Sequence, residues 1–303
     1  MQVRLIQDHA DFMALAPRWD HFLAQLGQLT PFSCHAWFSA WLAASPDTAL
    51  RLWLAEDQGE LAGLWPLCVS ENRWRERIGG GLEFLRNPET PFMDAWVRDA
   101  SVLQAMVQAQ QTQTGWRWLR LDGWLPGQAL DDFESLAAGQ PLLTIEPVAA
   151  PYVLLEGVWE DYWQSRSVRT RKAHRNVINK LEKTGTLEVK HWSQPEHVPM
   201  VLEVMTHLEA RSWKQAEGRT LINDQRLQRF FAAFTPVAAA RGWLSCYVLF
   251  LDGQAVAVEY QLAQGDRVWG LRGNYDEAFA ALSPGAYLNL ELIKRLFEAG
   301  YRH

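Results

Sequence analysis

Apolar and polar positions recur along this chain with two periods, and their order is repeated. Gln2–Ile6 alternates as a short strand. Helical spacing of apolar residues follows over 8–26, interrupted at Pro17, and again over His35–Ala44. Apolar runs at 50–55 and 61–67 flank Asp57-Gln58-Gly59-Glu60, the pattern of a β-hairpin. A glycine cluster at 79–81 comes next, with short strands at 82–85 and 92–97 and a helix over 101–113. A strand at 116–121, a helix over 127–138 and one or two strands within 142–155 complete this half.

After an inserted helical region at 158–184 the order starts again. Leu187–Trp192 is a strand, and residues 197–214 and 224–241 are helices. The clearest hairpin of the chain is 243–251, Asp252-Gly253 and 254–262, because Asp-Gly favours the tight primed turn. Arg267–Tyr275 is a third strand, and 287–299 is an amphipathic helix ending at Gly300. The hairpins at 50–67 and 243–262 each follow two helices and each lead through a third strand into a helix. The pattern predicts an α/β chain of mixed sheets built from a duplicated β-α-α-β-β-β-α unit; the alternative is a coincidence of order in an α+β chain.

Charge marks the division. Residues 1–155 hold 10 arginines, no lysine and 18 acidic residues, net −8, whereas 156–303 hold 19 basic and 17 acidic residues, net +2. The expected domains are therefore 1–155 and 156–303, with 146–151 as the crossing segment. The overall charge of −6 argues against a generic nucleic-acid binder. No apolar run reaches the ~18 residues of a membrane span, and the N-terminus lacks the features of a signal peptide. Cys34, Cys68 and Cys246 are odd in number and far apart, which fits neither a disulfide framework nor a zinc site. The expected setting is a reducing cytoplasm, without metal. Sixteen tryptophans argue against disorder and are read as packing residues.

Several segments together carry a family resemblance. In the second half these are Trp159-Glu160-Asp161-Tyr162, Glu209-Ala210-Arg211-Ser212-Trp213-Lys214, 251–257, and Asn274-Tyr275-Asp276 followed by Ser283-Pro284-Gly285. In the first half they are Pro31-Phe32 with Trp37 and Trp41, Gly63 with Pro66-Leu67, and Thr90-Pro91-Phe92-Met93-Asp94. With the element order, these make the chain resemble the GNAT superfamily of N-acyltransferases. More narrowly it is similar to tandem GNAT-like acetyltransferases found around bacterial cellulose and exopolysaccharide synthesis, with Fem-type aminoacyl transferases as distant relatives. The resemblance implies acetyl-CoA or another acyl-CoA as co-substrate and a small amine or amino sugar as acceptor. It also implies a further strand after the last helix, where 300–303 stand.

Particular residues suit that chemistry. Ser283-Pro284-Gly285 opens a helix whose first N–H groups and positive dipole end suit a pyrophosphate, and glycine lets backbone approach it. The usual Gln/Arg-x-x-Gly-x-Gly/Ala loop is absent, so an ordinary capped helix fits the same residues. The equivalent helix of the first half begins near Asp99, which repels phosphate, so no cofactor is expected there. Glu259 lies among Val256, Ala257, Val258 and Tyr260; it is a general base if buried and a solvated side chain if the alternation turns it outward. The resemblance assigns polarisation of the thioester carbonyl to backbone N–H groups around Leu271, Arg272 and Gly273. Tyr275 and Tyr287 are candidate acids for the departing thiolate. Arg166, Arg169, Arg171, Lys172, Arg175, Lys180 and Lys183 crowd one segment opposed only by Glu182. Arg171 and Arg175 share a helix face there. Such a segment is either a solvated helix or a surface for CoA phosphates or an anionic acceptor, which Arg211, Trp213 and Lys214 would extend. It also keeps open a Fem-like transferase using aminoacyl-tRNA, while the absent phosphate loop and the lack of a strand after the last helix keep open a non-enzymatic partner protein that retains a GNAT shell.

Overall fold

The computed structural model describes residues 1–70, 80–143, 150–215 and 220–303. Gly79, residues 146–149 of the expected crossing segment and residues 144–149 of the strand or strands expected within 142–155 lie outside the described residues. The chain separates into two compact units, Met1–Ala149 and Ala150–His303.

The first unit runs β1 (Gln2–Ile6), α1 (His9–Met13), α2 (Ala16–Gln25), α3 (His35–Ala44), β2 (Leu50–Asp57), β3 (Glu60–Val69), β4 (Gly81–Phe84), β5 (Trp96–Val97), α4 (Ala100–Gln111), β6 (Trp118–Arg120) and α5 (Gln128–Leu136). Its sheet has the order β1-β2-β3-β4-β6, with β5 pairing β3. Pro17 stands in the first turn of α2, where a missing N–H costs nothing, so it separates α1 from α2. Two expected strands are not formed as read. Only Trp96–Val97 of 92–97 joins the sheet, because Met93 instead exchanges backbone bonds with Gly123 and Leu125. Residues 150–155 are not strand either; Leu155 packs its side chain into a core and gives its N–H to the carbonyl of Arg302.

The second unit runs α6 (Trp159–Ser165), α7 (Val168–Thr184), β7 (Leu187–Trp192), α8 (Val198–Ala210), α9 (Gln225–Ala240), β8 (Leu244–Leu251), β9 (Gln254–Gln264), β10 (Arg267–Tyr275) and α10 (Pro284–Glu298). Its sheet is antiparallel in the order β10-β9-β8-β7, the same path as β4-β3-β2-β1. The two units thus repeat one topology, a mixed α/β fold in two similar halves. Asp252 and Gly253 both take positive φ, at 48° and 80°, which is the primed turn expected between β8 and β9.

Helices cover both faces of the second sheet. On one face Leu288, Leu292 and Leu296 of α10 pack on Tyr247, Leu249, Leu251 and Ala257. On the other, Thr235 of α9 meets the hydroxyl of Tyr260, and Glu209 of α8 meets β10. Along β10 the alternation is sharp: Arg272, Asn274 and Asp276 are buried, while Leu271, Gly273 and Tyr275 are half-buried. Glu209 is fully buried and accepts from Arg272 Nε at 2.6 Å, Asn274 Nδ2 at 2.9 Å and the N–H of Leu221 at 2.7 Å.

Candidate functional site

Register brings the candidate chemistry to one place. Glu259 on β9 stands opposite Tyr247 on β8 and Gly273 on β10. Directly opposed residues share a face of the sheet, so Glu259 points to the α10 side. A methyl group on Gly273 would overlap the Glu259 carboxylate, so this glycine is what lets the carboxylate lie across β10. Lys214 Nζ donates to the carbonyl oxygen of Gly273 at 3.0 Å, and Asn289 Nδ2 of α10 donates to Glu259 Oε1 at 3.3 Å. Burial pushes the Glu259 carboxyl up to about 7, against the opposing pull of Lys214 and the Asn289 hydrogen bond.

The strand beside it is irregular. Pairing of β10 with β9 slips between Gly270 and Arg272, so Leu271 is an extra residue in a bulge. The Arg272 side chain is committed to Glu209 on the far face, which leaves only its backbone for the site. Two glycines inside a strand pattern, Gly270 and Gly273, are the sequence signal for such a bulge or close approach.

At the start of α10, Ser283 is left-handed (φ 55°, ψ 51°) and its hydroxyl caps no N–H, contrary to the cap expected from sequence. Ser283 thus leaves the first-turn N–H groups without a cap of its own, which fits them to a phosphate. The side of Gly285 where a Cβ would stand faces Tyr275, at 3.3 Å from ring carbon Cδ1, so the glycine also serves the packing of helix on strand. Tyr275 and Tyr287 both pack against the core beneath α10. Burial raises the Tyr287 phenol above its ordinary range, and the nearby carboxylates of Glu291 and Glu182 add to this.

The basic surface divides in two. Lys214 reaches the site, whereas Arg211 pairs with Asp276 at 3.4 Å and Trp213 is exposed. Lys172 and Arg175 are exposed on α7, and Arg171 donates to the backbone oxygen of Gln164 at 2.8 Å. Asn289 was missed by sequence reasoning; it stands at an exposed position of an amphipathic helix, thirty residues from Glu259, with no local signal.

In the first unit burial raises the Asp94 carboxyl to about 6, and the Trp124 indole N–H donates to it at 2.7 Å. Residues 61–69 of β3 carry no charged side chain. Asp99 accepts from the N–H groups of Ser101 and Val102, occupying the start of α4 that a phosphate would use. Among the described residues no three His, Cys, Asp or Glu side chains group to hold a metal, and no helix is long and apolar enough to cross a membrane.

Comparison with known proteins places this geometry in context. Residues 168–303 match the family model described as an acetyltransferase (GNAT) domain. Compared by sequence with curated proteins, the chain gives no match. Among solved structures it is similar to a conserved protein of unknown function from Bacteroides thetaiotaomicron VPI-5482, with 12% identity and a TM-score of 0.56 over 99% of this chain and 88% of that one. It is also similar to FemX, with 12% identity and a TM-score of 0.54 over 100% and 87% of the two chains. At such identity these likenesses concern the fold alone.

Proposed function

We propose that the second unit is an acyl-CoA-dependent N-acyltransferase that acts on an amine of a small molecule or amino sugar, with Glu259 as its general base. The observation that carries this reading is the Glu259 carboxylate, laid over Gly273 beside the bulged strand and pushed up to about 7 by burial. A base with that proton affinity is substantially ionised at neutral pH and still accepts a proton from an attacking amine. Bound acyl-CoA supplies the thioester that the amine attacks. Backbone N–H groups around Leu271, Arg272 and Gly273 polarise its carbonyl. The uncapped start of α10, at Ser283 and Gly285, receives the pyrophosphate. Tyr287, whose phenol keeps its proton at neutral pH, and Tyr275 are the acids for the thiolate. Arg211, Trp213 and Lys214 line the acceptor side.

The reading is tested by thiol release from acetyl-CoA in the presence of a panel of amino sugars and amino acids. Release that depends on an amine supports it, and amine-independent background throughout refutes it. Gly285→Val should weaken acetyl-CoA binding roughly ten- to hundredfold by calorimetry, the scale of a lost charged hydrogen bond. A lower melting temperature with unchanged affinity would assign Gly285 to packing against Tyr275 alone.

A second reading, a Fem-like transferase with an aminoacyl-tRNA donor, is favoured by one observation: Lys172 and Arg175 are exposed on a helix whose cations far outnumber its acids. Replacing Arg171, Lys172 and Arg175 together with Gln should then weaken tRNA retention and flatten its salt dependence. Equal retention across a salt series would return α7 to a solvated helix.

A further inference from the structure

Glu259 is a flexible side chain on a strand, and a base must be held where the reacting proton will be. Three elements other than its own strand meet it. Gly273 of β10 leaves the space it crosses, Lys214 sits on the Gly273 carbonyl and attracts it, and Asn289 of α10 bonds its Oε1. Gly273 offers space, Lys214 bonds the strand and attracts the carboxylate, and Asn289 donates a side-chain hydrogen bond to it.

We propose that Asn289 is a positioning residue for the reaction proposed above: its carboxamide, reaching from α10, fixes the Glu259 carboxylate across Gly273 on the bulged side of β10. The inference rests on that reading for its catalytic meaning, but the contact itself can be tested apart from turnover. Asn289 occupies an exposed position on α10, so its polarity owes nothing to core packing. The polar atoms of a carboxamide carry no charge, so Asn289 orients the carboxylate without pairing with it as a second Lys or Arg would.

The other groups around the carboxylate are accounted for. Lys214 approaches from the segment after α8, Tyr247 stands opposite on β8, and Cys246 on β8 responds to the Glu259 charge. Farther along α10, Arg295 is bonded to Glu291 and acts on His191 and Tyr247. Removing Asn289 leaves all of these in place. Loss of a hydrogen bond to the ionised form must then raise the carboxyl's proton affinity, and an added carboxylate must raise it further.

The experiment follows the Glu259 carboxyl carbon by 13C NMR across a pH series in the full chain, assigned by its disappearance in Glu259→Gln. Asn289→Ala should move the midpoint upward by roughly half a unit to one unit, the net scale of a typical single hydrogen bond. Asn289→Asp, nearly the same size, should move it further, and Asn289→Gln should restore part of the shift. Unchanged midpoints in folded Asn289→Ala and Asn289→Asp would overturn the inference. In the thiol-release assay Asn289→Ala should lower kcat roughly three- to tenfold at pH 7 with the KM for acetyl-CoA held. A shifted midpoint with an unchanged kcat would also overturn it, because the contact would then have no part in turnover. Wild-type thiol release by Glu259→Gln is the separate result that sinks the functional reading itself.

Discussion

Glu259→Gln is expected to leave a folded protein that transfers acyl groups roughly a hundred- to ten-thousandfold more slowly than the wild type, the range a positioned general base contributes. The carboxamide keeps the shape of the side chain and can stay within reach of Asn289, so binding of acetyl-CoA should survive. What disappears is an acceptor for the proton of the amine. The pH profile carries the same signature: wild-type transfer should rise as pH climbs through about 7, where the carboxyl ionises. Stability should run the other way. A carboxyl whose proton affinity is raised by folding favours the fold while protonated; that contribution is complete below its ordinary value of 4.5 and is lost as pH rises through about 7. Glu259→Gln should therefore lose less stability than the wild type between pH 5 and 8 in parallel urea titrations. Thiol release within threefold of wild type would remove Glu259 from the mechanism.

The largest effect on stability should come from Glu209→Ala. Glu209 is fully buried, and its two oxygens accept from Arg272, Asn274 and the backbone of Leu221. Truncation takes away the carboxylate that accepts from the guanidinium of Arg272, which is 6% exposed and lies beside the Phe231 ring. Breaking a buried pair by removing one partner costs about 3–5 kcal/mol, far more than the pair adds over an apolar replacement. Urea unfolding followed by circular dichroism measures this. A shift equivalent to less than about 1 kcal/mol would mean that Arg272 finds water or another acceptor. Because Arg272 adjoins the bulge at Leu271, the variant should also lose acyl transfer before it loses its fold.

Much of the frame was legible in sequence. The hairpins at 50–67 and 243–262 carried apolar runs around glycine-containing turns, and the structure forms both, as β2–β3 and β8–β9. Helix 225–240 was legible through its periodicity despite Pro236, which the structure accommodates inside α9. The losses came where backbone pairing competes with pattern. Residues 92–97 look like a strand, yet Met93 bonds to 123–125 and only two residues join β3. In the site, Glu259 was visible as an acid among apolar residues, but alternation alone left its direction open. Its direction follows from cross-strand register with Tyr247 and Gly273, which no local window contains. Lys214, bonded to the Gly273 carbonyl, and Asn289, bonded to Glu259 itself, come from elements far apart in sequence. Lys214 was read only as an extension of the basic surface, and Asn289, exposed on its own helix, gave no local signal.

Isothermal titration of acetyl-CoA into the wild-type chain tests whether the second unit holds acyl-CoA. Saturable binding at one site per chain is expected, weakened by Gly285→Val and retained by Glu259→Gln. Absence of saturable heat from folded wild-type protein, at acetyl-CoA concentrations up to the millimolar range where KM values lie, would contradict it.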